Sequence, residues 1–198
     1  KPLLMVAGKP LLQHHIERLA AAGITELVIN ISWLAEQIED YFGDGSDFGV
    51  SISWSREARP LETGGGIARA LPMLGTDPFL LINGDVWTDF PIPHISGKTL
   101  DPDQDAWLLL VNNPEHNPQG DFTLSEQLVS LGGKPCFTFS GISLVRPQLF
   151  SSYQAQYPQQ QAFRWLDVMT AVIDNGRVAG EVYSGQWWDV GTVERYHQ

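Results

Sequence analysis

The chain has 198 residues, 43% hydrophobic and 18% charged, which fits one globular domain able to bury a substantial core. Asp and Glu total 23 against 12 Lys and Arg, and a formal charge of −11 argues against nucleic acid or an anionic membrane surface as the main partner, leaving room for a local basic pocket. No apolar run nears the roughly 20 residues of a membrane span, no signal peptide opens the chain, and one cysteine, Cys136, cannot form an intrachain disulfide, so a reducing cytoplasm is the expected compartment.

Lys1-Pro2-Leu3-Leu4 enters loop-like sequence before Gly8-Lys9-Pro10. From Pro10 the spacing turns helical, with Leu11, His15 and Leu19 on one line, Leu12, Ile16 and Ala20 beside it, and Gly23 as the stop. Residues 26–31 predict a strand, and Ser32 is the expected N-cap of a helix over 33–42 that ends at Gly43. Residues 50–54 alternate apolar and polar, as a strand near a sheet edge does. The stretch Leu61-Glu62-Thr63-Gly64-Gly65-Gly66 reads as a glycine-rich loop leading into a short helix through Ile67, Ala70, Leu71 and Leu74.

Residues 79–82 are four apolar residues after Pro78 and predict a strand buried on both faces, broken by Asn83-Gly84-Asp85. Strand and helix alternate up to this point, which predicts a parallel sheet with covering helices. Residues 106–111 are another apolar strand, and the polar loop of residues 112–122 follows it. Residues 128–131 and 136–145 suggest a hairpin turned at Gly132-Gly133. A helix over 163–173, a last strand over 178–183 and the stretch Trp187-Trp188-Asp189-Val190-Gly191-Thr192 complete the chain.

Three features carry the chemistry. Asp85 sits where a buried strand meets solvent, the sheet edge at which open α/β folds bind ligands; it suits a Mg²⁺ ligand, or belongs to a plain turn. The glycine triplet superficially matches a dinucleotide fingerprint but fails it, because Arg69 stands where the third small residue belongs and eight residues separate Ser55 from Gly64. It either lets the backbone approach a base or serves a loop that needs positive φ. Asp189, in its aromatic setting, is the third. His14 and His15 have no third ligand at metal-site spacing and read as surface and interface positions. Asn112 and His116 are better functional candidates because they sit in the polar loop, although a plain loop would also carry them. Cys136 reads as a buried structural thiol, Trp107 and Trp165 as packing residues, and at least one of Trp187 and Trp188 as core.

Lys1-Pro2-Leu3, Leu61-Glu62-Thr63-Gly64-Gly65-Gly66, Asn83-Gly84-Asp85 and Trp188-Asp189-Val190-Gly191-Thr192 occur in the order seen in sugar-1-phosphate nucleotidyltransferases. The chain resembles that family over essentially its whole length. In detail it is most similar to the N-acetylmuramic acid 1-phosphate uridylyltransferases of bacterial cell-wall recycling, through its Leu-Glu-Thr-Gly-Gly-Gly form, Asn-Gly-Asp-Val-Trp-Thr-Asp, and Asn-Pro-Glu-His followed by Gly120-Asp121-Phe122.

The resemblance implies a doubly wound, Rossmann-like α/β fold with a mixed central sheet and helices on both faces. It implies a single domain over 1–198, with a nucleotide-side half to about residue 89 and a sugar-side half beyond it. Carried onto this chain, it makes Asp85 and Asp189 the carboxylates that hold Mg²⁺, and Lys1 and Asp85 catalytic. Lys1, Glu62, Gly64, Gly65, Asn83 and Asp85 would bind the nucleotide; Asn112, Gly120, Asp121 and Gly141 would bind the sugar. Glu62 departs from the commoner Leu-Gly-Thr form. The family's first strand and Gly-x-Gly-x-Arg-Leu phosphate loop are not among the residues given, and are expected ahead of Lys1. The implied substrates are a nucleoside triphosphate, UTP in the first instance, and an amino-sugar 1-phosphate. Alternatives are a guanylyl- or thymidylyltransferase acting on mannose or glucose 1-phosphate, or a sensor that has lost turnover. Oligomeric state is not legible.

Overall fold

In the computed structural model, which describes residues 2–192 and Arg195, β1 (Met5–Val6) and β2 (Lys9–Pro10) form a small ribbon that leads into α1 (Leu11–Ala21). β3 (Glu26–Ile31) runs parallel to β4 (Ser51–Arg56), with α2 (Ala35–Phe42) and a 3-10 turn at Ser46–Phe48 between them. Leu12 and Ile16 of α1 and Ile38 and Phe42 of α2 pack on Ile31 and Ile52. These are the apolar stripes of the sequence, which cost least when they face one another. α2 starts at Ala35, because Leu34 takes a left-handed conformation and Ser32 makes no cap bond.

α3 (Glu62–Leu74) includes the glycine triplet, so the expected glycine-rich loop is helix. After β5 (Phe79–Ile82), β6 (Val86–Thr88) and the short α4 (Ile92–Ser96) comes β7 (Ala106–Val111), in which every residue is buried. β8 (Phe122–Ser125) and β9 (Leu128–Ser130) form the hairpin, turning at Glu126-Gln127, both at positive φ. The hairpin expected around Gly132-Gly133 is therefore displaced: β10 (Cys136–Val145) pairs with β8, not β9. α5 (Gln148–Gln156), α6 (Trp165–Asp174), β11 (Val178–Tyr183) and β12 (Trp187–Asp189) follow.

The main sheet has six strands in the order β5-β10-β7-β11-β9-β8, mixed because β7 and β11 are parallel while β10 is antiparallel to its three partners β5, β7 and β8. Alternate residues of β7 feed two cores. Ala106, Leu108 and Leu110 meet the side of α3, α5 and α6 through Ile67, Phe150 and Met169, and Trp107 and Leu109 meet Phe90, Ile95 and Leu100 on the other face. β5 is half-buried along its length, whereas a strand buried on both faces was expected. The reason is topological: among the described residues only β10 pairs with it, and its other edge lines a slot of about 1200 Å³ across from β3. No helix among the described residues is long and apolar enough to cross a membrane.

Candidate active site

The site is built on an irregularity in β10. Its register against β7 shifts between Phe139 and Ser143, and Gly141 at the shift has φ +82°. Such a bulge turns carbonyls out of the ladder. The Gly141 carbonyl accepts the Asn83 N–H at 2.8 Å, and the Ser140 carbonyl accepts the Trp187 Nε1–H at 2.8 Å. The loop after β5 and the start of β12 are thus fastened to adjacent residues. A Cβ on Gly141 would lie 2.9 Å from the Asn83 Cβ, so the contact requires glycine twice over, for φ and for space.

β6 and β12 then pair with Asp189 opposite Val86, and the Val190 N–H donates to the Asp85 carbonyl at 2.9 Å. Asp89 secures the base of this ribbon, its Oδ1 accepting the Tyr183 hydroxyl and the Gln186 N–H, each at 2.8 Å. Arg18 of α1 donates to the carbonyls of Thr88 and Phe90. The two carboxylates converge as a result. A Cβ on Gly191 would sit 2.8 Å from Asp189 Oδ1 and 3.1 Å from Asp85 Oδ2, so only a glycine leaves this point clear. Asp189 Oδ1 accepts the Gly191 N–H at 2.7 Å, and its Oδ2 accepts from Arg195 Nη1 at 2.5 Å and lies 3.6 Å from His116 Nε2.

Two converging carboxylates are hard oxygen donors, and among the described residues no group of three or more His, Cys, Asp or Glu could hold an ion. That donor set fits Mg²⁺, which keeps water and substrate phosphate oxygens in most of its positions and needs few protein ligands.

On the opposite flank, Glu62 opens α3 with φ +61°, a conformation that favours glycine. Its side chain is exposed. Gly64, Gly65 and Gly66 are buried, and none has positive φ. A Cβ would meet Phe163 at 2.6 Å from Gly64, the Gln161 carbonyl at 2.3 Å from Gly65, and Glu57 Oε1 at 2.6 Å from Gly66. The triplet therefore serves close packing of α3 on residues 161–164 and Glu57. Neither the positive-φ loop nor an open approach to the Cα faces of Gly64 and Gly65 is what the structure has. Asn30, at the end of β3, donates to the Gly66 carbonyl at 2.8 Å and to Glu57 Oε1 at 3.2 Å, while Glu57 Oε2 accepts the Leu61 N–H at 3.1 Å. Asn30, Glu57, Glu62, Asn83 and Asp85 all line the slot between β3 and β5. Lys1 lies outside the described residues.

The loop after β7 reaches the site through His116, while the residues expected to bind the sugar hold the loop. Asp121 spends both oxygens on scaffolding, Oδ2 on the Phe139 N–H at 2.8 Å and Oδ1 on Asn117 Nδ2 at 3.0 Å. Gly120, at φ +66°, is packed on Asn113 and Cys136. Asn112 is exposed at the end of β7. What the loop delivers is His116, stacked on Trp187 with ring centroids 6.5 Å apart and planes 28° from parallel. His116, Trp187, Trp188, Asp189 and Arg195 line a second pocket of about 440 Å³, to which Asn112, Gly120, Asp121 and Gly141 do not contribute. Neither tryptophan is core, since Trp187 is half-buried and Trp188 is 44% exposed against Trp87. Cys136 is half-buried, its thiol donating to the Gly133 carbonyl at 3.0 Å. Sequence reasoning also missed Asn30 and Glu57, which the strand-end rule that singled out Asp85 would have found, and Arg195, for which no local pattern exists.

Residues 1–127 match the family described as Nucleotidyl transferase. The chain is 47% identical over 201 residues to the N-acetylmuramate alpha-1-phosphate uridylyltransferase of Neisseria meningitidis serogroup B, a match that covers 98% of this chain and 85% of that protein. It is 31% identical over 208 residues to a glucose-1-phosphate thymidylyltransferase of Streptomyces griseus, covering 98% of this chain and 57% of that one. Among solved structures, a Bacillus anthracis protein assigned as a glucose-1-phosphate thymidylyltransferase, in complex with a sucrose, superposes with a TM-score of 0.88 over 100% of this chain and 83% of its own, at 20% identity. At that identity the likeness speaks for the fold alone.

Proposed function

This chain belongs to the nucleotidyl transferase family, as a sugar-1-phosphate nucleotidyltransferase, and from that premise we propose that it transfers the uridylyl group of UTP to N-acetylmuramic acid 1-phosphate, releasing pyrophosphate. The observation that carries the reading is the convergence of Asp85 and Asp189 on Gly191, between the slot and the pocket of His116 and Trp188. The likeness to the Neisseria uridylyltransferase supports the choice of base and sugar. The role such a product serves is peptidoglycan recycling in the cytoplasm.

In the reaction a phosphate oxygen of the sugar 1-phosphate attacks the α-phosphorus of UTP in line. One P–O bond forms, the bond to pyrophosphate breaks, and the nucleophile is already ionised near neutral pH. No triad or general base is needed, so the protein supplies position and charge neutralisation. Asp85 and Asp189 would hold Mg²⁺, which when bound neutralises and orients phosphate oxygens. On the nucleotide side Glu62 offers a carboxylate to a base N–H, and Asn83, fixed by Gly141, offers its amide at the strand end. Gly64 and Gly65 support this side from within α3, and Lys1 would contact phosphate. Asn112, Gly120, Asp121 and Gly141 shape the sugar side, the last three by holding the loop and the bulge.

A second reading keeps the reaction and changes the base. The Glu62 carboxylate has two acceptor oxygens, which also suits the paired N–H groups of guanine. Pyrophosphate release by the full-length protein, with each nucleoside triphosphate against a panel of sugar 1-phosphates, tests both. Turnover with UTP and N-acetylmuramic acid 1-phosphate is expected. Turnover only with GTP and mannose 1-phosphate would overturn the substrates, and none with any pair would leave a sensor.

A further inference from the structure

In a chain of charge −11 a doubly anionic substrate must find its cations locally. Most of the described cations are committed elsewhere: Lys9 to Glu17, Arg56 to Glu39, Arg164 to Asp167 and Arg177 to Asp105. Arg18 and Arg146 are held by backbone carbonyls. Arg195 alone among the described Lys and Arg residues lines the pocket of Trp188 and Asp189.

Its guanidinium is only partly used. Nη1 donates to Asp189 Oδ2 at 2.5 Å and Nε to Thr192 Oγ1 at 3.4 Å, while Nη2 has no acceptor among the described residues. His116 Nε2, 3.6 Å from the same Asp189 oxygen, lies just beyond hydrogen-bond range, and its ring is steadied by Trp187, itself fixed to the Ser140 carbonyl. The side chains of Arg195, His116 and Asp189 retain 24%, 35% and 25% of their exposure, so a solute can reach all three. A guanidinium and an imidazole thus face one pocket around a single carboxylate that the proposed reaction needs for something else.

Resting on that function, we propose that Arg195, with His116, reads an anionic oxygen group of the sugar substrate. Asp189 holds the guanidinium in place until the substrate arrives; the fork then turns its Nη groups to the incoming anion while Asp189 faces Asp85. The pocket volume of about 440 Å³ accommodates a sugar ring, and the exposed Trp188 gives it an apolar face to lie on. The anion is either the 1-phosphate or the carboxylate of the lactyl ether that distinguishes N-acetylmuramic acid from N-acetylglucosamine.

Calorimetric titration of the full-length protein with each of these two sugar 1-phosphates, for wild type, Arg195→Gln, Arg195→Lys and His116→Gln, separates the sources. Loss of a charge-assisted bond raises Kd about ten- to a hundredfold in Arg195→Gln. Arg195→Lys recovers part of the loss, since it keeps the charge without the fork. The urea midpoint stays unchanged in both. An equal loss for both sugars assigns the 1-phosphate, and a loss confined to the muramic compound assigns its carboxylate. Binding of both sugars unchanged in Arg195→Gln would overturn the inference alone. A wild-type protein that binds neither would overturn the function with it.

Discussion

Val190 donates its backbone N–H to the carbonyl of Asp85 at 2.9 Å, and through this bond the loop after β12 is laid against the end of β5. The side chain that precedes Val190 is thereby aimed at the side chain of Asp85, with Gly191 between them. Asp85→Asn and Asp189→Asn keep this backbone geometry, and an Asn at 189 can still accept the Gly191 N–H. Both variants are expected to fold normally by circular dichroism and to lose turnover by about a hundredfold or more, as for removal of a charge-stabilising group. Pyrophosphate release across a Mg²⁺ titration checks this, and turnover within tenfold of wild type would remove the metal role.

Gly141 is the keystone of the bulge. Gly141→Ala forces an L side chain to φ +82° and drives a Cβ to 2.9 Å from that of Asn83. The expected cost is about 1–3 kcal/mol, strain plus overpacking, and the displaced Asn83 should raise KM for the nucleoside triphosphate. Gly176→Ala is the control, because φ is +67° there but nothing lies within 4 Å of the added Cβ. It should show only the smaller strain and leave KM alone. Urea midpoints and steady-state kinetics on the pair separate conformational strain from the Asn83 contact.

β3, β5, β7, β10 and β11 were legible because apolar runs bounded by turn residues carry their own signal, and α1 and α6 because their stripes recur at helical spacing, whereas β1, β2, β6, β8 and β12 are too short to carry such a run. The glycine triplet was not, since three glycines argue locally for a loop and only the close packing on residues 161–164 makes them helix. The hairpin slipped for the converse reason: Glu126-Gln127 turns at positive φ without a residue that announces it. Asp85 could be found from the strand-end rule, whereas Asp189 needed the family resemblance. Arg195 and His116 meet at one carboxylate only because two distant stretches of chain come to the same edge, and no pattern in either records the other.

Glu62 holds φ +61°, a conformation that favours glycine. A non-glycine residue kept in this region costs about 1–2 kcal/mol. Glu62→Gly removes that strain but gives the unfolded chain more freedom, so stability should stay level or rise by up to about 1 kcal/mol. If the carboxylate reads the base, KM for UTP rises in the same variant while KM for the sugar 1-phosphate holds. Loss of stability with an unchanged KM would make Glu62 a structural residue.

His15 places a titratable ring inside the wall between α1 and the slot. It is 7% exposed and its Nε2 finds no partner among the described residues. Burial, then the nearby Arg18 charge, lower its pKa from 6.5 to about 4, against the opposing pull of the Val86 carbonyl and Asp85. Between those two values the unfolded chain binds a proton that the folded chain refuses. Stability from this residue is therefore full above pH 6.5, falls as pH drops through the window, and stops falling below about pH 4, where both states are protonated. At pH 5 the loss should reach about 2 kcal/mol relative to pH 7.5. His15→Leu keeps an apolar side chain of similar size and removes the proton site. Its stability at pH 7.5 should change by only about 1 kcal/mol, the hydrogen bond to Val86 being exchanged for relief of the orphaned nitrogen. Urea midpoints of both proteins at the two pH values give the check: the wild-type drop should exceed that of the variant by about 2 kcal/mol, and equal drops would show that the ring is not held neutral.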